Sequence, residues 1–358
     1  MSIDDLLAML VQVRGSDLHL KVGSPPVLRI DGELHPTDLA PLTAADMEAY
    51  ARGLLTPRAA EEFQEVNEAD FAYGTGSMGR FRVNAFRQRG SAGLVIRRVL
   101  PGSKNFEELG LPPVLSTLTD HQRGLVLVTG PTGSGKTTTL ASMVDYINSN
   151  RRVNIVTIED PIEVLHPDKL SIVSQRELGI DTGSFAEALR RVLRQDPDVI
   201  LIGEMRDAET VRAALKASET GHLVLSSLHT IDATETVNRI VDFFPPYQER
   251  QIRLLLGGSL RGVVSLRLLE RVDGQGRVPA VEVLTMNGRV FDRIVHEGQT
   301  HTLVDVIREG DFYGMQTFDQ SIFHLYERGL ISFRVAAANA SNPHDFRLKV
   351  QQAGLRSA

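Results

Sequence analysis

The sequence predicts an α/β protein whose larger, C-terminal part holds a parallel sheet, preceded by a smaller α+β part. Three observations predict it. Short apolar runs recur between residues 124 and 228, with helical patterns between them. The first third instead alternates apolar and polar residues and is punctuated by Gly-rich turns. A proline- and glycine-bearing segment, LPGSKNFEELGLPP (100–113), stands between the two. Strand–helix alternation implies parallel strands joined by right-handed crossovers, whereas clustered alternating runs imply an antiparallel meander.

Taken in order, Ile3, Leu6, Leu7, Leu10 and Val11 have helical spacing over residues 2–12. LHLKVGSPPVLRIDGEL (18–34) reads as short strands around a Pro-Pro break. Residues 43–65 read as a helix pair interrupted at Pro57, and 70–99 as a meander with turns at 74–79 and 90–93. Beyond the segment at 100–113, GLVLVTG (124–130) has the unbroken apolar character of a fully buried parallel strand. VNIVTIE (153–159), DVILIGE (198–204) and HLVLSSL (222–228) read likewise, separated by helical patterns at 136–148, 184–195 and 207–220. Residues 248–358 read as mainly helical.

The chain has 358 residues, 42% of them hydrophobic and 23% charged, which suffices for two packed domains. A net charge of -6 argues against a nucleic-acid surface. The lack of cysteine rules out disulfides and thiolate zinc sites. Arg14 and Asp17 break the N-terminal stretch, so it does not read as a secretory signal, and no run approaches the roughly 18 apolar residues of a membrane span. A membrane link is therefore expected to run through a partner protein.

GPTGSGKT (130–137) matches the phosphate-binding pattern G-x-x-x-x-G-K-[ST]. Gly130, Gly133 and Gly135 permit backbone geometries in which successive N–H groups turn inward as an anion nest. The helix that follows points its N-terminus at the phosphates. Lys136 supplies a cation for the β- and γ-phosphates of ATP, and Thr137 a hydroxyl for Mg²⁺. Thr132, Ser134 and Thr138 complete the loop and its first helical turn.

Three further segments end or bracket predicted strands. IEDPIE (158–163) puts Glu159, Asp160 and Glu163 at a carboxyl end, the edge where open α/β sheets bind ligands. A carboxylate there can orient attacking water or hold a metal-bound one; a solvated acidic turn is the alternative. DPDVILIGEMRD (196–207) places Glu204 where it can reach Mg²⁺ through water or polarise the nucleophile, or simply cap the next helix. Gly203 and Glu204 stand where an Asp is usual, leaving the direct magnesium ligand open. ETGHLVLSSLHT (219–230) brackets a strand with His222 and His229, either of which can sense a phosphate or serve structure.

Together, and in this order, GPTGSGKT, IEDPIE, LRQDPDVILIGEMRD and TGHLVLSSLHT resemble the Walker A, Asp-box, Walker B and His-box segments of the secretion-superfamily ATPases of type II secretion and type IV pili. GSDLHLKVGSPPVLRIDGEL (15–34), GRFRVNAFRQRG (79–90) and GMQTFDQSIFHLYERGLIS (314–332) extend the likeness to the retraction branch, that of PilT and PilU. The resemblance implies a PAS-like α+β domain at 1–99, a linker and hinge at 100–115, and a RecA-like P-loop ATPase domain at 116–358 with a C-terminal helical segment. It implies Glu163 as the catalytic glutamate, Glu204 as the Walker B glutamate near Mg²⁺ and His229 as the γ-phosphate reader, with His222 in a structural or coupling role. It implies a homohexamer in the cytoplasm, at the inner face of the cytoplasmic membrane, working through a pilus platform protein and possibly beside a paralogous retraction ATPase, with no nucleic-acid partner. Arg80, Arg82, Arg97 and Arg98 of the meander are candidates for neutralising transition-state charge, Arg82 and Arg97 foremost; strand-surface arginines are the alternative. The branch carries a segment close to AIRNLIRE, and VFDRIVHE (290–297) departs from it at Asp292 and His296. An accessory, PilU-like ATPase is therefore the second expectation, and a RecA-like nucleic-acid translocase the third.

Overall fold

The structure, a computed structural model, describes residues 1–30, 32–75, 78–99 and 102–355; the first two residues of the expected linker, 100 and 101, lie outside them. The chain divides into two units, Met1–Pro101 with Glu163–Leu165, and Gly102–Ile162 with His166–Ala358.

The first unit runs α1 (Ile3–Gln12), β1 (Asp17–Lys21), β2 (Val27–Ile30), β3 (Glu33–Pro36), α2 (Ala44–Leu54), α3 (Pro57–Val66), β4 (Glu68–Thr75), β5 (Gly79–Gln88) and β6 (Ser91–Val99). Its helices start where the side chains dictate. Ser2 with Asp5 and Thr43 with Asp46 form reciprocal caps, and Pro57 opens α3 behind the Thr56 cap. Arg89 (φ 51°) and Gly90 (φ 78°) turn β5 into β6. Two successive left-handed residues match the twist of the flanking strands. The six strands pair antiparallel in the order β3-β2-β1-β6-β5-β4, over a core that includes Leu6, Leu10, Met47, Phe63, Phe81 and Leu94.

The second unit runs α4 (Val114–Asp120), β7 (Gly124–Thr129), α5 (Lys136–Asn150), β8 (Asn154–Glu159), β9 (Ile172–Glu177), α6 (Phe185–Val192), β10 (Val199–Ile202), α7 (Ala208–Glu219), β11 (Leu223–Leu228), α8 (Ala233–Asp242), α9 (Glu249–Ser259), β12 (Leu260–Glu270), β13 (Arg277–Thr285), α10 (Gly288–Val295), α11 (Leu303–Arg308), α12 (Phe318–Glu327), α13 (Phe333–Asn339) and α14 (Pro343–Gln352). The sheet order is β13-β12-β7-β11-β10-β8-β9, parallel except for β13. Successive side chains of its strands enter opposite cores. Leu125, Leu127, Ile200, Ile202 and Val224 pack under α6 to α9, while Val126, Val128, Leu201, Leu223 and Leu225 pack with Leu140, Met143, Val144 and Ile147 of α5. Burial on both faces explains why these strands are apolar without alternation.

Residues 260–285 are the departure from the mainly helical pattern expected of 248–358: they form the hairpin β12–β13, and β12 lies parallel beside β7. The helical spacing of Ile252 and Leu256 runs on to Leu260 without a proline, and α9 passes straight into β12 at Ser259–Leu260. Strand β9 also escapes the sequence pattern. As the sheet edge it exposes Ile172 and carries Ser174, Gln175, Arg176 and Glu177. Much of the segment after Gly102 packs on the second unit: Phe106 stacks on Tyr146 (5.3 Å between centroids), Leu111 enters the α5 core, and Ser103 Oγ donates to the Ala141 carbonyl. Among the described residues no helix is long and apolar enough to cross a membrane.

Candidate functional site

Strand direction decides which motifs can meet. Thr129 pairs with Leu228, and Ile202 pairs with both Ile158 and Ser226, so β7, β8, β10 and β11 all end at one edge of the sheet. The glycine loop, the Glu159–Asp160 turn, Glu204 and His229 follow those four ends directly. His222 precedes β11 and lies at the opposite edge, where its carbonyl accepts the Gly124 N–H and its Nδ1 sits 2.9 Å from the Ala217 carbonyl oxygen.

The loop between β7 and α5 is shaped for an anion. Gly130 (φ 143°) has no room for a side chain: a Cβ would stand 2.5 Å from Ser134 Oγ and 2.6 Å from the Leu266 carbonyl oxygen. Gly133 (φ 76°) and Gly135 (φ 99°) take left-handed conformations that ordinary residues adopt only with strain. Gly135 is the N-cap of α5, and no side chain caps that helix, so its first N–H groups face outward for a ligand. Lys136 Nζ donates to the carbonyls of Gly130 (2.8 Å) and Pro131 (3.0 Å). A triphosphate can replace those two acceptors. Thr132, Thr137 and Thr138 are exposed, and Ser134 is buried with an Oγ that has no partner. Behind the loop, Thr129 Oγ1 donates to Ser265 Oγ at 2.9 Å, tying β7 to β12. The residues present therefore fit a nucleotide phosphate chain: glycine-lined amides, an uncapped helix and a cation within the loop.

Glu204 follows β10 through Gly203, whose N–H bonds the Ile158 carbonyl and whose own carbonyl accepts Ser227 Oγ. Its side chain is largely buried. One carboxylate oxygen meets Arg206 Nη2 at 2.6 Å, and the other lies 3.3 Å from His229 Nε2. Glu204 and His229 thus form a contact that their separation in sequence concealed, and Arg206 is a partner that sequence reasoning missed. No group of three or more His, Asp or Glu that can hold a metal occurs among the described residues. Were Mg²⁺ bound together with a triphosphate, Thr137 and, through water, Glu204 would be the residues here to hold it.

Glu159 is buried and accepts from Thr157 Oγ1 (2.6 Å) and Gln175 Nε2 (3.0 Å), so its carboxylate is engaged within the sheet. Glu163 is exposed and belongs to the three-residue segment that groups with the first unit. The arginines also belong to that unit. Arg29, Asp17, Arg97 and Arg82 form a cross-strand row over β2, β1, β6 and β5. Arg97 Nε donates to Asp17 Oδ1 at 2.8 Å, and Arg29 Nε lies 3.8 Å from Asp17 Oδ2. Burial pushes the Asp17 carboxyl up, but hydrogen bonds from Arg97 and Ser16 outweigh it and hold the group below its ordinary range. Arg97 thus has a structural partner inside its own sheet, while exposed Arg82 stands directly opposite it. Arg80 shares Arg82's face of β5; Arg98 points to the other face of β6 from Arg97. In VFDRIVHE, Phe291 and Asp292 are exposed on α10, and His296 Nδ1 turns back to the Asp292 carbonyl oxygen at 2.8 Å.

Residues 73–309 match the family described as type II/IV secretion system protein. The chain is 43% identical to the type IV pilus retraction ATPase PilT of Pseudomonas aeruginosa, over 97% of this chain and 100% of that protein. It is 39% identical to the type IV pilus ATPase PilU of the same organism, over 98% of this chain and 92% of that one. Among solved structures it is similar to the pilus retraction motor PilT crystallised with bound ADP, with a TM-score of 0.87 and 43% identity over 96% of this chain and 98% of that one.

Proposed function

The chain belongs to the type II/IV secretion system protein family, and from that premise we propose that it is an ATP-hydrolysing motor subunit powering type IV pilus retraction. The observation that carries the ATPase reading is the convergence at one sheet edge of the Gly130–Thr137 cradle, Glu204 and His229. PilT, which this chain matches over nearly its whole length, is described as a retraction ATPase and motor, and supports the pilus assignment.

In this reading ATP draws Lys136 off the Gly130 and Pro131 carbonyls and onto its β- and γ-phosphates. The outward N–H groups of α5 bind the same anion. Mg²⁺, when bound, neutralises charge that develops on the phosphate oxygens. Glu163 accepts a proton from the attacking water. Glu204 orients the water shell around Thr137, and His229, held beside Glu204, registers whether the γ-phosphate is present. Arg82 or Arg97 offsets negative charge on the transferred phosphoryl group. Six subunits form the ring, and hydrolysis is coupled to domain motion that removes pilin through an inner-membrane platform protein at the cytoplasmic face. The hinge is the segment 100–115, of which Ser103, Phe106 and Leu111 pack on the second unit.

A specific observation favours a second reading. Asp292 and His296 replace the two arginines expected in the 290–297 segment, and the chain also aligns with PilU almost end to end. An accessory subunit beside a paralogous motor satisfies both. Deleting the gene and scoring retraction of labelled pili separates the readings. Loss of retraction supports the motor, and full retraction without the protein supports the accessory role. The purified chain must in either case turn over ATP, with the activity co-eluting with the ring; turnover confined to monomer contradicts the ring motor.

A further inference from the structure

Two side chains on one face of the edge strand β9 hold the main chain on either side of Glu163. Glu177 Oε2 accepts the N–H of Ile162 at 2.9 Å, and Gln175 Oε1 accepts the N–H of His166 at 2.8 Å. Residues two apart on a strand share a face, so the acceptors stand next to one another. Between the two anchored N–H groups lie only Glu163, Val164 and Leu165, the three residues that group with the first unit. Ile162 and His166 are buried, whereas Glu163 is exposed.

The anchors are themselves braced. Gln175 Nε2 donates to Glu159 Oε1 at 3.0 Å, and that oxygen also takes the Thr157 hydroxyl. Along the β8–β9 ladder Gln175 faces Thr157 and Glu177 faces Glu159. The Glu177 N–H donates to Asp181 Oδ2 at 2.8 Å. Downstream of His166, Lys169 Nζ meets Asp145 Oδ1 at 2.7 Å, and Asn148 donates to the Pro167 carbonyl and accepts the Lys169 N–H. Asp145 and Asn148 lie on α5, the helix that Lys136 begins. A buried carboxylate and a half-buried amide on an edge strand cost desolvation unless they find partners. Here the partners are main-chain N–H groups that no strand ladder serves.

We propose that Gln175 and Glu177 are positioning residues for ATP hydrolysis. They clamp the main chain at Ile162 and His166, and so fix the point from which the Glu163 carboxylate approaches water. The inference rests on Glu163 being the group that readies that water. A displacement of about 1 Å at such a group can cost on the order of 100-fold in rate. Acting through Glu163, the clamp affects turnover and leaves the phosphate cradle alone.

The test uses the full-length ring. Turnover number, ATP dissociation constant and melting temperature are measured for Glu177→Leu, Glu177→Gln, Gln175→Met, Glu163→Gln and the Glu163→Gln/Glu177→Leu double variant. Glu177→Leu and Gln175→Met should each lower kcat by roughly 10- to 100-fold with ATP affinity within about twofold of the parent. Glu177→Gln, which keeps an acceptor oxygen for Ile162, should recover most of the rate that Glu177→Leu loses. In the Glu163→Gln background, Glu177→Leu should remove nothing further, as expected of residues acting as one unit. Parental kcat in Glu177→Leu and Gln175→Met, alongside an inactive Glu163→Gln, overturns the inference and spares the role of Glu163. An equal loss of ATP affinity and kcat, or a full additional loss in the double variant, also overturns it. An active Glu163→Gln removes the role of Glu163 and the clamp's purpose with it. Should Glu177→Leu melt below the assay temperature, Gln175→Met carries the same criteria.

Discussion

Two buried carboxylates, Asp17 in the first unit and Glu282 in the second, show how differently the units treat charge. Asp17, in the antiparallel sheet, has Arg97 in hydrogen-bond contact and Arg29 close by, and stays ionised. Glu282, on β13, is pushed up to about 7 by burial, with Asp232 and Asp319 adding to the rise; the Ala233 N–H and Arg267 only partly offset it. The sheet edge of the second unit shows a third arrangement. Lys136 holds carbonyls of its own loop, and Glu204 pairs with Arg206 and His229, both well exposed. A paired charge such as Asp17 contributes to stability. Charges resting on replaceable partners are available to a ligand, and stability loses little when they are removed.

The largest effect expected from this contrast is at Lys136. Lys136→Ala should lower ATP turnover by about 1,000-fold or more, since the P-loop lysine is the cradle's point charge on the phosphates. Its melting temperature should move little, because Lys136 is itself only half-buried and the Pro131 carbonyl that it leaves is at the surface. A steep fall in melting temperature would show that Lys136 belongs with Asp17 as a structural charge. Glu204→Gln should follow, losing roughly 100-fold in kcat with an almost unchanged fold. Stability changes larger than rate changes would contradict the distinction.

Glu282→Gln tests the other side. The folded-state pKa lies above the ordinary carboxyl value, so the folded protein holds the proton through the window from about 4.5 to about 7. Stability from this group is present below that window and is lost as pH rises through it. The neutral glutamine should therefore stabilise the second unit by about 3 kcal/mol at pH 8, the gain shrinking toward zero as pH falls below about 4.5. Thermal melts of parent and variant across that range read the difference; a gain that grows toward acid pH reverses the sign and refutes it. The smallest expected effect separates the arginines. Arg97→Ala should cost the first unit about 1 kcal/mol, as it removes a hydrogen bond to buried Asp17. Arg82→Ala should cost less than about 0.5 kcal/mol, as an exposed side chain away from such a partner. If only Arg82→Ala slows hydrolysis without a stability loss, the charge-neutralising role belongs to Arg82.

Much of this was legible in the sequence where both faces of a strand are buried. GLVLVT, NIVTIE, VILI and LVLSSL are nearly unbroken apolar runs because helices cover each side, and the glycine loop follows the first of them. β9 was not legible, since an edge strand keeps polar residues, and Gln175 and Glu177 look like a solvated face until Ile162 and His166 are seen to bond them. β12 was hidden by α9, whose leucine spacing runs into it. Within the site, the two histidines of ETGHLVLSSLHT could not be told apart by spacing. The direction of β11 separates them, placing His229 against Glu204 and His222 against the Ala217 carbonyl. The pairing of Arg97 with Asp17 depends on cross-strand register between residues far apart in the chain.

The most direct test of the account measures ATP binding and ATP turnover side by side on the purified Glu163→Gln protein. Parental affinity with kcat reduced at least about 100-fold is the predicted result, because the cradle at Gly130–Thr137 stays whole while the water loses its base. Turnover within about twofold of the parent would contradict it.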